Sequence, residues 1–138
     1  MGHQFNWYDQ ARGIIRIDVE KPATWEGHRN VIELTALEIE RTPLDRLDVI
    51  LVNNAPFPPG NAVPHFRWTI KRLLPYYRLG MFVIVDPSPQ LRVTQVLISS
   101  ITQIARINSK KISAVVPTFA EALDIIEEDR ATRVKSIR

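Results

Sequence analysis

The sequence predicts an α/β domain: an N-terminal β-hairpin, then alternating strands and helices, forming a mixed, mostly parallel sheet of about five strands with about four helices. Three observations predict it. Gly13 to Val19 alternates apolar and polar residues, as a half-buried strand does. Val49–Val52 and Met81–Val85 are unbroken apolar runs, the pattern of parallel strands covered on both faces. Between and after them lie segments whose apolar residues recur at helical spacing. The 138 residues suit one core, read as a domain over 1–129 followed by a basic tail over 130–138.

The elements follow in order. Phe5 to Asp9 reads as a short strand. Gln10 to Gly13 is a turn, with Gly13 free to take positive φ, and Ile15, Ile17 and Val19 then share the buried face of the second strand. Thr24 suits the N-cap of a helix over Trp25–Arg41, with His28, Ile32, Thr35 and Ile39 on its inner face; Thr42-Pro43 ends it. Asp48–Val52 is the next strand. Asn53–Gly60, rich in proline, is a loop. Asn61 caps a helix from about Ala62 to Leu74, with Pro64 tolerated in its first turn. Gly80 precedes the strand Met81–Val85. Ser88 reads as an N-cap and Pro89 as the first residue of a helix ending near Asn108. Lys111–Val116 is the last strand, and Thr118…Glu121 a capping box for the closing helix.

Composition narrows the chemistry. With no Cys, disulfides, Cys-ligated metals and thiol nucleophiles are excluded. Net charge is only +3, and four of the basic residues fall in Arg130–Arg138, so nucleic acid is not an expected partner. No apolar run is long enough to span a membrane, and Met1–Gln10 lacks the pattern of a signal peptide; the expected location is cytoplasmic. The five glycines are scattered, so neither a Walker loop nor a dinucleotide fingerprint is present. His3, His28 and His65 lack neighbours at metal-ligand spacing, and Asp86 is the one acid at a central strand end, too few for a phosphoryl-aspartate site. No catalytic residue, metal or cofactor is expected. An enzyme would need His65 as a base near Asp86 or Asn54.

The most unusual segment is Asn53–Arg72, a stiff polar loop feeding a helix at the sheet's carboxyl edge, where α/β folds place their ligands. Two readings stand side by side. Asn53, Asn54, Phe57, Asn61, His65, Arg67 and Trp68 form a partner-binding surface, or the loop merely connects elements and Asn61 caps a helix. Arg67, Trp68, Lys71, Arg72, Tyr76, Tyr77 and Arg78 mix cations with aromatics, as base-stacking surfaces do and as ordinary helix flanks also do. The helix after Pro89 carries more apolar residues (Val93, Val96, Leu97, Ile98, Ile101, Ile104) than one narrow stripe needs, consistent with an apolar ligand, a homodimer or deeper burial.

The element order, the run Val49–Val52 leading through a loop to a helix, and the closing Val116-Pro117-Thr118-Phe119-Ala120-Glu121-Ala122-Leu123 resemble a STAS domain over about Phe5 to Glu128. That is the fold of anti-sigma-factor antagonists and of the cytosolic part of sulphate transporters, and the chain is most similar to the divergent group likened to Sec14-type lipid-binding domains. The resemblance implies a regulatory, protein-binding module whose partner is an anti-sigma-factor-like kinase. Antagonists carry an Asp-Ser-Ser/Thr-Gly run after the matching strand, and the kinase phosphorylates its Ser. Gly60, Asn61 and Ala62 fall about there, with no hydroxyl between Asn53 and His65, so the phosphoacceptor is not carried over. The alternative within the same fold is a small-ligand or lipid carrier.

Overall fold

The computed structural model describes residues 2–104 and 114–137. The elements are β1 (His3–Asp9), β2 (Ile14–Val19), α1 (Trp25–Arg41), β3 (Leu47–Asn53), α2 (Ala62–Leu73), β4 (Leu79–Val85), α3 (Leu91–Ile104), β5 (Ala114–Val116) and α4 (Phe119–Ile137). The sheet runs β1-β2-β3-β4-β5; β1 is antiparallel to β2, and the remaining pairs are parallel. The α/β class, the opening hairpin and the mostly parallel sheet are as the sequence predicts.

Strand alternation divides the core in two. Ile15, Ile17, Val49, Leu51, Phe82 and Ile84 point to one face and meet α1, α2 and α3. Ile14, Ile50, Val52, Met81, Val83 and Val85 point to the other and meet Ala122 and Ile126 of α4. Covering on both faces is why β3 and β4 are buried at every position. Gly13 turns the hairpin at φ +74°, and a Cβ there would lie 2.6 Å from the Arg46 carbonyl oxygen, so both conformation and space demand glycine.

Three expectations are corrected. Asn53 closes β3 rather than opening the loop, because it stays in register opposite Val19. Helix α3 begins at Leu91, not Pro89: the Asp86 carboxylate takes both the Ser88 N–H (3.0 Å) and its hydroxyl, holding Ser88 in a turn, and the first intrahelical bond runs from Thr94 N to Gln90 O. The basic segment from Arg130 is not a tail, since α4 continues through Ile137 and Arg130 folds back onto the fully buried Asp48 (Nη2–Oδ2 2.6 Å). The expected end of the third helix at Asn108 and the first residues of the strand from Lys111 lie outside the described residues.

Candidate functional site

The carboxyl ends of the parallel strands, the start of β1 and the first turns of α1 and α2 meet at one corner. Thr24 caps α1 by accepting from Gly27 N (2.9 Å), which puts Trp25 and His28 in the first turn. Asn61 caps α2 by accepting from Val63 N (3.0 Å), which puts His65 and Phe66 just inside it. Antiparallel β1 starts where β2 ends, so His3 arrives opposite Val19. The three histidines, far apart in sequence, thus gather around one tryptophan.

Ring geometry is close throughout. His65 stacks flat on Trp25, with centroids 4.3 Å apart and planes 4° apart. Trp25 meets His28 edge-on at 5.8 Å and Phe66 at 5.7 Å, and His3 lies 6.1 Å from His28. Phe57 of the loop closes on Phe66 at 5.7 Å. Such offset and edge contacts are the favourable ones for aromatic pairs. The loop itself is anchored at three points: Asn54 N donates to Val19 O (2.8 Å), Gln90 Nε2 to Ala55 O (3.2 Å) and Trp25 Nε1 to Pro59 O (3.2 Å).

His28 is 4% exposed and sits 2.6 Å from Thr69 Oγ1 through its Nε2. The Thr69 hydroxyl, which also reaches His65 O (3.1 Å), ties His28 to α2. Burial, then the neighbouring His3, His65 and Arg29, hold the His28 pKa down at about 3. Burial also lowers His3 and, with Arg29, His65.

Beneath the rings lies a cavity of about 30 Å³, walled by Val19, Leu51, Phe57, Phe66 and Ile84 and bordered by His3, His28 and Asn53. Asn53 is 6% exposed, and its Nδ2 finds no hydrogen-bond partner among the described residues. Thr94 also borders the cavity, but its hydroxyl donates to Asp86 Oδ2 (2.9 Å). A buried amide donor in an apolar wall costs about 1–3 kcal/mol when unpaired, so it is a feature that calls for an acceptor.

Of the residues predicted from sequence, Asn53 and Phe57 line this cavity and His65 braces its rim through Trp25. Asn54 and Asn61 are exposed on the loop above it. Arg67 and Trp68 are not part of its wall: Arg67 is exposed, and Trp68 packs half-buried in the α1–α2 seam with the Arg29 guanidinium 4.8 Å over its ring. Of the other cations of that stretch, Lys71 is exposed, and Arg72 and Arg78 are engaged within the fold. Arg72 forks onto Glu33 (2.9 and 3.0 Å), while Arg78 donates to Thr42 O (2.5 Å). Of the two pairings an enzyme would need, His65 with Asp86 or with Asn54, the first is not formed: His65 is stacked on Trp25, and Asp86 serves Ser88 and Thr94.

His3, Trp25, His28 and Phe66 are the site residues the sequence reading missed. A signal existed. Each stands at the first turn of a helix that follows a strand, or at the start of an antiparallel strand, and every such position reaches the same sheet edge. Among the described residues, no group of three or more His, Cys, Asp or Glu is placed to hold a metal ion. No described helix is long and apolar enough to cross a membrane. Comparison with family models, curated proteins and solved structures finds no match to this chain.

Proposed function

We propose that the chain is a non-catalytic, STAS-like regulatory module that captures a protein partner at the Asn53–Asn61 corner. One observation carries the reading: a stiff exposed loop stands over an aromatic-walled cavity bordered by two buried polar atoms without a partner among the described residues, Asn53 Nδ2 and His3 Nδ1. About 30 Å³ holds one or two water-sized groups, far below the roughly 300 Å³ at which small-molecule pockets begin. That favours a partner inserting a single small group with an acceptor oxygen over a lipid or cofactor carried whole. Tethering at Asn54, Ala55 and Pro59 supports the same reading, because a loop already held in place loses little freedom on binding.

An anti-sigma-factor-like kinase is the partner class the resemblance suggests. By that resemblance Asn61 takes the place of the acceptor serine, capping the helix without being modifiable, so binding here is either constitutive or answers to a signal other than phosphorylation. The test is capture from native-cell extract on immobilised protein, comparing wild type with Phe57→Ala and His65→Ala. The reading requires a captured protein that both substitutions release while the variants remain folded. Capture indifferent to both, or turnover of any substrate that depends on His65, removes it.

A further inference from the structure

Strand β1 is the open edge of the sheet; among the described residues it pairs with β2 alone. The ladder shows which of its main-chain groups face outward. Glu20 N donates to Gly2 O (2.7 Å), and His3 stands opposite Val19. Gly2, Gln4 and Asn6 therefore turn their N–H and C=O groups toward β2, and His3, Phe5 and Trp7 turn theirs outward, since the two directions alternate along an antiparallel strand. Natural edges are blunted with Lys, Pro or an inward charge. Residues His3–Trp7 carry none of these, and the register shift comes only after Trp7.

We propose that this edge pairs antiparallel with the same edge of a second copy, about a two-fold axis at Asn6, joining the two five-stranded sheets into one. The strand is complementary to itself in that register. Phe5 meets Trp7 of the second copy on the α1 side and Asn6 meets its own counterpart on the other face, the regular ladder ending at Trp7 where the register shifts. The outward groups of Phe5 fall opposite those of Trp7, which gives about four main-chain hydrogen bonds across the axis. A shift by one residue puts outward groups opposite inward ones and loses them.

Helix α1 supplies an independent indication. Its flank toward β1 is marked by Gly27, packed against His3, and by Glu38, which shares a cleft with Trp7. Leu34 lies on that same flank, one turn before Glu38, and is 44% exposed. With strands about 4.8 Å apart, a helix over β1 and β2 and its symmetry mate stand roughly 10 Å apart, the spacing of packed helices. The second copy thus covers Leu34 as well as the edge.

The test uses single-cysteine variants, which read cleanly because the chain has no Cys. Asn6 faces itself across a non-hydrogen-bonded pair, where Cα atoms are about 4.5 Å apart and a disulfide fits. Asn6→Cys should cross-link to a dimer on mild oxidation, and Gln4→Cys should not. Without oxidant, light scattering should find wild type dimeric and Asn6→Lys and Asn6→Glu each monomeric, with unchanged circular dichroism; an equimolar mixture of the two should re-form the dimer. A monomeric wild type overturns the proposal. So does cross-linking at Gln4 in place of Asn6, or a dimer that survives Asn6→Lys and is lost in Val96→Lys, which would put the interface on the exposed Val93–Val96 face of α3.

Discussion

At the amino ends of the parallel strands, the fully buried Asp48 accepts from Arg46 Nε (3.0 Å), Arg130 Nε (2.8 Å) and Met81 N (2.7 Å), while Arg46 also pairs with Asp129 (2.7 Å). At the carboxyl end of the same strand β3, the nearly as buried Asn53 keeps an amide donor with no partner among the described residues. The first end is closed. Its carboxylate joins β3, β4 and α4, and Gly80 exists there so that the cluster can lie on the strand: a Cβ would come within 2.1 Å of Arg46 Nε and 2.3 Å of Asp48 Oδ1. The second end is apolar, aromatic and incompletely satisfied. Polar groups at the first end act as scaffold, and at the second the Asn53 amide is left without a partner among the described residues.

Several substitutions break or sharpen that contrast. The largest effect belongs to Asp48→Ala, which strands the Arg130 guanidinium and the Met81 N–H and leaves Arg46 with Asp129 alone; it should cost about 3–5 kcal/mol in urea unfolding. A loss below about 1 kcal/mol would mean that the amino end is not a scaffold.

Acid should act at the opposite end. Folded His28 titrates near 3, against the ordinary 6.5, so below pH 6.5 the unfolded chain takes up a proton that the folded chain refuses. Its contribution is intact above pH 6.5 and falls by about 1.4 kcal/mol per pH unit down to pH 3. His3 and His65 are shifted in the same direction. Unfolding followed from pH 7 to pH 5 should show the decline, and His28→Gln should flatten it. An equal slope in the variant would separate the corner from the acid response.

Smaller again is Asn61→Ala, which removes the α2 cap and should cost about 1 kcal/mol. Thermal melting checks it, and an unchanged midpoint would remove Asn61 from the structural side of the comparison.

The fold was legible because its signals are local: alternation in β2, unbroken apolar runs in β3 and β4, and caps at Thr24 and Asn61. The start of α3 was not, because Asp86 draws the Ser88 N–H and hydroxyl into a turn that delays the helix to Leu91. Arg130 read as a free cation because its partner, Asp48, lies in a strand far back in the sequence. The site was half legible. Asn53, Phe57 and His65 were marked by the stiff loop that runs from the end of a buried strand into a helix, although Asn53 itself closes the strand, whereas His3 and His28 come from other elements and join them only through packing. Trp68 misled for the opposite reason: its aromatic and basic neighbours looked like a surface, but the ring fills the α1–α2 seam.

The most direct measurement is the paired stability and partner capture of Asn53→Leu. Replacing an unpaired buried donor by an apolar side chain of similar size should leave unfolding free energy unchanged or raise it by up to about 1 kcal/mol, while capture at the corner falls at least tenfold. A variant that unfolds as easily as Asp48→Ala, or that binds as wild type does, would contradict the account.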